Sequence, residues 1–503
     1  MTITTPPTSD LVVIANRLPF KRVEEGDVTT WIISPGGLVA ALKPAMERSD
    51  NMTWVGWAGD VTDEPAPPFS IEDLRLAPVS LSAEDIRLHY AGMSNGSLWP
   101  LYHDKIAPPE FHRSWFDGYR RVNQKFADVA AANAPQGAQV WIHDYQLHMV
   151  PSILRKLRPD LKIGFFLHIP FPPGELFNQM PWRSEIIEGT LGADLIGFQT
   201  QGGADNFARV AVQRGLAERQ RRAVLAVDGR QVHIRTFPVG IDFKSYNADA
   251  RRHEITDAAR DVRAGLGQPH IVLLGIDRLD YTKGIEVRLR ALNELLADGQ
   301  LHPSRVVMVQ VAEPSRDDVD AYQSVKATVE QLVGQINGDF GRVGFPVVHF
   351  IRQAQVYMRL LALYRAADVM LVTPFRDGMN LVAKEYVATR YNDSGVLVLS
   401  EFAGAAHHLK SAVQVNPYDI VGVKKAIMDA INLSPRDRRR RMRALRKTVQ
   451  RNDANHWADS FLTALDNVNN ANTNGITVTS TAQSETEADT KTAAVANETD
   501  QAD

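Results

Sequence analysis

The sequence predicts an α/β protein of two doubly wound domains that face each other across a cleft. Three observations carry this reading. Short continuous runs of Val, Ile and Leu alternate with amphipathic stretches along most of the chain, the pattern of parallel strands covered by helices on both faces. The alternation restarts after Tyr246 with a second full series. At 503 residues the chain also exceeds one ordinary hydrophobic core.

The first series reads as strands at Leu11 to Ala15, Val140 to Ile142, Ile163 to Leu167, Leu195 to Phe198 and Ile234 to Val239. Helical patterns such as Leu147 to Leu157 and Ala204 to Arg214 lie between them. The second series reads as strands at Ile271 to Ile276, Val306 to Val311, Val347 to Ile351, Val369 to Val372, Val396 to Leu399 and Ala412 to Val415. The polar stretch Asn247 to Gln268 is the expected join, part of it helical. Ser434-Pro435 pairs an N-cap residue with a first-turn proline and opens a further helix. In HWADSFLTAL, His456 to Leu465, the residues Trp457, Phe461, Leu462 and Leu465 recur at helical spacing. The stretch from about Asn469 is Asn, Thr, Ala, Ser and acids, with too little to bury to offset ordering, and is expected to be disordered. MTITTPPTSD reads as a short disordered lead-in without the charged and apolar regions of a signal peptide.

Composition narrows the function. With 44% hydrophobic and 23% charged residues and a net charge of −3, the chain is globular and not basic. Nucleic-acid binding therefore has no support, and the run Arg436 to Lys447 is expected to be a solvated helix face. No cysteine is present, which rules out disulfides and thiolate metal sites and fits a reducing cytoplasm. No apolar run approaches the ~20 residues of a membrane span. Neither G-x-G-x-x-G after the first strand nor G-x-x-x-x-G-K-[ST] occurs, which argues against a standard dehydrogenase or P-loop enzyme. No histidine pair has convincing ligand spacing, so no metal is expected.

Ligands of open α/β sheets bind beyond the carboxyl ends of strands, and the loops there carry the chemistry. HIVLLGIDRLDYTKG, His270 to Gly284, ends a strand in a loop with Arg278 and Lys283. A guanidinium grips a diphosphate bidentately and a lysine adds a point charge, although Arg278 could instead pair with Asp277 or Asp280. In DVMLVTPFRDGMNLVAKEY the strand ends at Arg376-Asp377-Gly378, and a helix starting near Asn380 offers unpaired N–H groups to phosphate or sugar. Glu385 on that helix suits the two hydroxyls of a ribose. The plainer alternative makes Asp377 an N-cap and Glu385 a solvent-facing side chain. In the first half, Asn16-Arg17 follows the first strand, and Ser34-Pro35-Gly36-Gly37 opens a helix at Leu38. Paired glycines let a backbone approach an anion, though a plain turn reads equally well. His168 in FFLHIPFPP and Asp144 in WIHDY each end a strand; for His168, core and cleft are equally open. In HYAGMSNGSLWP, Tyr90 and Trp99 suit either a sugar-binding wall or the core. Cations for a diphosphate beside groups for hydroxyls fit a sugar nucleotide.

At these residues the chain resembles the trehalose-6-phosphate synthases, a family of retaining glucosyltransferases of GT-B architecture, two facing Rossmann-like domains. The resemblance runs from about Leu11 to Leu465. It rests on Asn16-Arg17, PGGL at Pro35 to Leu38, WVGWAG at Trp54 to Gly59, SNGSLWP, HDYQLH, FLHIPFP, DRLDYTKG, SRDDV at Ser315 to Val319, TPFRDGMNLVAKEY and VLSEFAGAA, in that order. It implies transfer of glucose from a nucleoside-diphosphate glucose (NDP-glucose) to glucose 6-phosphate, giving α,α-trehalose 6-phosphate. Arg278 and Lys283 would meet the donor diphosphate, Glu385 the ribose, and Asp377 with the amides of Gly378, Met379, Asn380 and Leu381 the transferred glucose. His168 would also contact that glucose. Arg17, Tyr90 and Arg316 would hold the acceptor phosphate, with Trp57, Trp99 and Asp144 around the acceptor sugar. Gly36-Gly37 would belong to a mobile loop closing over the donor.

The expected division is a lead-in at 1–10, an acceptor domain at 11–246 and a nucleotide-sugar domain at 247–455. A helix at 456–468 then crosses back to the first domain, ahead of an acidic tail at 469–503. The resemblance implies small-molecule substrates, no cofactor, no nucleic acid and no membrane, and leaves a homo-oligomer and the preferred base open. The alternatives are a synthase with another phosphorylated acceptor, such as glycerol 3-phosphate, and a non-catalytic sugar-nucleotide sensor.

Overall fold

Buried Val, Ile and Leu runs form two separate sheets in the computed structural model, which describes residues 11–25, 28–33, 37–46, 52–71, 74–314 and 320–468. The first sheet has ten strands. Its parallel centre runs, in spatial order, Arg230–Thr236, Leu195–Phe198, Lys162–Leu167, Gln139–His143, Leu11–Arg17, Met52–Trp57 and Leu74–Pro78. Antiparallel strands flank it: Glu218–Arg221 and Val224–Val227 on one side, Phe69–Ile71 on the other. The second sheet is wholly parallel, in the order Val348–Ile351, Val306–Glu313, Ile271–Arg278, Val369–Val372, Val396–Ser400 and Val413–Val415. A hairpin, Phe20–Glu25 with Val28–Ile33, stands apart.

Among the parallel strands, chain order reverses once in each sheet. In the first it does so between Leu11–Arg17 and Gln139–His143, and in the second between Ile271–Arg278 and Val369–Val372. Such switch points leave a crevice at the strand ends. Arg17 and Asp144 border the first crevice. The Arg278–Gly284 and Arg376–Asn380 loops border the second.

Several elements depart from the expectation. The strand read over Ile234 to Val239 ends at Thr236, because Pro238 has no N–H to continue a ladder. Met52–Trp57 is a fully buried central strand that periodicity did not reveal, being broken by Thr53 and Gly56. A Cβ on Gly56 would lie 2.6 Å from the Arg17 carbonyl carbon, so the glycine admits the neighbouring strand's end. The edge strand Glu218–Arg221 is exposed at all four residues and has no apolar run to read. HYAGMSNGSLWP lies on a wide-turned π-helix, Ile86–Leu98, that continues into the α-helix Trp99–Tyr102. Extended π-helix is rare and often marks functional sites.

The join holds two helices, Phe243–Asp249 and His253–Gly265. Ser434 caps Pro435–Arg451 by accepting the Asp437 N–H at 3.1 Å. A last helix, 454–468, lies against the first sheet. Phe461 stacks on Trp141 at 4.6 Å, and Asp466 pairs with Lys162 at 3.1 Å. Gly164 and Gly197 leave room for the Phe461 ring, since a Cβ on either would fall within 2.8 Å of it. No described helix is long and apolar enough to cross a membrane.

Candidate active site

The two loops of the second domain are fastened to each other. Gly284 is left-handed (φ 56°), and a Cβ there would sit 2.2 Å from the Thr373 carbonyl oxygen. Phe375 N–H donates to the Thr282 carbonyl at 2.8 Å. Lys283 Nζ then reaches Asp377 Oδ2 at 2.6 Å, in a pair that is nearly buried. Asp377 also accepts from Met379 N–H and from Asn380 Nδ2, each at 3.2 Å. Burial works to raise the Asp377 carboxyl, and Lys283 and Asn380 outweigh it, leaving the group below the ordinary value. The helix Leu381–Thr389 is capped by Asn380, whose Oδ1 accepts the Ala383 N–H at 3.2 Å, so Asp377 is not its N-cap.

Arg278 pairs with neither neighbouring acid. Asp277 belongs to Arg288, 2.7 Å away and wholly buried, and Asp280 accepts from Thr282 N–H and the Tyr322 hydroxyl. Burial pushes the Asp277 carboxyl up to about 6 despite Arg288. Arg288 also donates to the Lys283 carbonyl at 2.9 Å, fixing the lysine's backbone from behind. Arg278 itself is exposed, its guanidinium 5.4 Å from the Trp99 ring across the cleft. Glu385 does not face solvent freely. It accepts the Tyr364 hydroxyl at 2.7 Å and a bond from Tyr246, and burial raises its carboxyl.

The first domain meets these loops closely. A Cβ on Gly378 would lie 2.0 Å from the His168 carbonyl oxygen, so only glycine lets the loop reach the first domain. His168 N–H donates to Asp144 Oδ1 at 3.1 Å. Asp144 is left-handed (φ 76°), as is Asn380 (φ 73°), a conformation uncommon for non-glycine residues and most accessible to Asp and Asn. The Arg17 guanidinium lies 4.5 Å from the Trp57 ring and 5.8 Å from Tyr90. Trp57 and Trp99 are otherwise core residues, only 5% and 4% exposed. Gly37 begins the helix Gly37–Met46, while Gly36 and Arg316, like 1–10 and 469–503, lie outside the described residues.

Sequence reading missed several groups here. Asp104, from the first domain, pairs with Arg376 at 3.2 Å and bridges the cleft. His103 is buried against Trp99, and His143 touches His168. Tyr246 and Tyr364 hold Glu385. Their only local signal was proximity to motifs already singled out, as in Trp99-Pro100-Leu101-Tyr102-His103-Asp104. Among the described residues, no cluster of three His, Asp or Glu is arranged to hold a metal.

The model of glycosyltransferase family 20 matches residues 9–467. The chain is 52% identical over 485 residues to a trehalose-6-phosphate synthase of Mycolicibacterium smegmatis, covering 94% of this chain and 96% of the relative. It superposes on a structure of the E. coli protein bound with UDP-2-fluoro glucose with TM-score 0.83 at 34% identity, covering 91% of this chain and 99% of the other. A UDP-forming alpha,alpha-trehalose-phosphate synthase from Burkholderia xenovorans, in complex with glucose 6-phosphate, is similar at TM-score 0.83 and 32% identity. It is covered in full, against 91% of this chain.

Proposed function

The chain belongs to glycosyltransferase family 20, and we infer that it is a retaining synthase that moves glucose from UDP-glucose to glucose 6-phosphate, forming α,α-trehalose 6-phosphate and UDP. The observation that carries the reading is the meeting of the two second-domain loops, through Lys283 and Asp377, against His168 and Trp99 of the first domain, which also groups Arg17 with Trp57 and Tyr90. One side suits a diphosphate and the other a phosphorylated sugar. The relatives' complexes with a UDP-sugar analogue and with glucose 6-phosphate support the same pairing.

In the reaction the C1–O bond to the diphosphate breaks and a bond from C1 to the acceptor oxygen forms on the same face. The acceptor proton passes to an oxygen of the leaving diphosphate. Arg278 and Lys283 meet the charge that grows there, and the N–H groups from Gly378 to Leu381 add their dipoles. Glu385 orients the ribose. Asp377 and His168 hold the transferred glucose; Arg17, Tyr90 and Arg316 hold the acceptor phosphate, beside Trp57, Trp99 and Asp144. Gly36 and Gly37 belong to the loop that covers the donor. A double displacement would need a free carboxylate under C1. Asp377 is already bonded through both oxygens, and Asp144 accepts from His168, which favours direct transfer.

We assign residues 11–246 to the acceptor side, 247–455 to the donor side and 456–468 to the return helix. The test is nucleotide release from UDP-, ADP- and GDP-glucose, with and without glucose 6-phosphate, followed by product analysis and repeated in EDTA. Trehalose 6-phosphate formed with UDP-glucose, undiminished by EDTA, is the expected result. Turnover only with another phosphorylated acceptor, or binding without turnover, would overturn it.

A further inference from the structure

Two histidines meet behind the cleft. His143 ends the Gln139–His143 strand and is wholly buried. Its Nδ1 lies 3.0 Å from Nε2 of half-buried His168. Its other ring nitrogen, Nε2, is buried with no hydrogen-bond partner among the described residues. Aromatic rings surround the pair. Trp141 lies 4.6 Å from His143, and Phe166 lies 4.7 Å from His168. Trp457, from the 454–468 helix, stands 6.2 Å from His143 and edge-on at 5.9 Å from His168. Burial holds His143 well below the ordinary histidine value and His168 down at about 3, so both rings are neutral near pH 7.

A neutral imidazole carries one hydrogen, and a bond between two facing nitrogens needs one N–H and one lone pair. Were the His143 hydrogen on Nε2, a donor would be buried without an acceptor, at the full cost of its desolvation. His168 would then have to donate through Nε2. With the hydrogen on His143 Nδ1, no N–H is orphaned. His168 Nε2 accepts it, and the His168 hydrogen must sit on Nδ1.

We propose that His143 is a positioning residue that locks His168 as its Nδ1–H tautomer, so that His168 offers the cleft an N–H for a hydroxyl oxygen of the transferred glucose, with Trp457 holding both rings in register. The bonded sugar hydroxyl must then accept from His168 and donate elsewhere. The assignment rests on His168 being a donor-glucose contact, and it makes the last helix of the chain part of the support of that contact.

The test is made on the full chain labelled with ¹⁵N-histidine, in which His168 is recognised by the signals lost in His168→Gln. Without substrate at pH 7, His168 should show a protonated Nδ1 and a bare Nε2. His143→Phe should leave His168 a mixture of tautomers. It should lower kcat about tenfold or more while the KM for glucose 6-phosphate stays nearly unchanged, as loss of a supporting hydrogen bond does elsewhere. His143→Asn, whose amide returns a hydrogen-bonding group near the Nδ1 position, should recover most of that turnover. A protonated Nε2 on His168 in the parent protein would overturn the proposal. So would undiminished turnover in His143→Phe, or an asparagine variant as impaired as the phenylalanine one. If His143→Phe does not fold, the parent spectrum and His143→Asn decide. If the parent makes no trehalose 6-phosphate, the functional reading fails, while the tautomer spectrum still decides the histidine assignment.

Discussion

The two domains bury neutral and charged polar groups in different proportions. The first hides mainly neutral ones: His89, His103, His143 and His148 are buried, as are Ser94, Asn95, Asn123 and Thr190. Burial brings His89 and His103 down to about 4 and His148 to about 3. The second hides ions. Asp277 and Arg288 are closed off, Lys283 and Asp377 pair at the cleft, and Lys384, brought by burial down to about 7, donates to the Val239 carbonyl. The first domain's buried acids, Asp85 and Asp194, are held by Lys125, Arg121 and Arg155. The difference follows the ligands inferred for each side. Fixed charge must already be in place to meet a diphosphate, whereas neutral imidazoles bond hydroxyls without the desolvation cost of an ion.

The largest test of this contrast is how far the neutral interior depends on its last helix. A chain ending at Arg451 loses Trp457, Phe461 and Leu465, each buried in the first domain's core. Truncating one buried aromatic costs ~3–5 kcal/mol, so losing this set approaches the whole ~5–15 kcal/mol of a domain. That protein should show no cooperative unfolding by tryptophan fluorescence. A normal transition would place the helix outside the fold's requirements.

Acid should strike the first domain next. Each buried histidine has a folded pKa below its unfolded value of 6.5. As pH falls below 6.5 the unfolded chain binds protons that the fold refuses. The stability these groups contribute is therefore full above that pH and lost towards pH 4 and 3, by roughly 1.4 kcal/mol per unit per histidine. All eight tryptophans lie in 1–246 or at 457, so their fluorescence reports this domain alone. Its urea midpoint should drop between pH 7 and 5, and a flat midpoint would contradict the neutral interior.

In the second domain, Arg288→Met strands Asp277 and should cost ~3–5 kcal/mol, read by circular dichroism. Burial already raises the Asp277 carboxyl to about 6 against the lowering effect of Arg288, so without Arg288 it should rise further, and protonation should relieve part of the loss already above that pH. An Asp277→Asn, Arg288→Met pair should be milder than Arg288→Met alone; equal damage would mean that shape, not charge, matters there.

Arg278 is exposed, so Arg278→Ala should leave the melting temperature unchanged while kcat falls ~10²–10³-fold, ~3–4 kcal/mol. Near-normal turnover would end its assignment to the leaving group. The smallest effect is expected from a chain ending at Asn470, whose melting temperature and kcat/KM should match the full protein. Damage equal to that of the Arg451 truncation would move the fold's end into the tail.

Much of this architecture was legible along the chain. Apolar runs marked most of the central strands, and Ser434-Pro435 marked a helix start. The stripe Trp457, Phe461, Leu465 marked a helix with one face to bury. Both loops at the second sheet's switch point were legible because strand end, glycine and helix start are adjacent in sequence. Backbone geometry sets these signals within a few residues. The strand Met52–Trp57 escaped because Gly56 answers to a distant carbonyl, not to a local pattern.

Only the tertiary structure decided which partner each buried polar group found. Lys283 meets Asp377 across 94 residues, Asp277 takes Arg288 and leaves Arg278 open, and Glu385 is held by Tyr364. His143 meets His168 only because their strands are neighbours in the sheet. A hydrogen bond is short and directional, so it depends on how whole layers pack, and residues far apart in the chain fix that packing together.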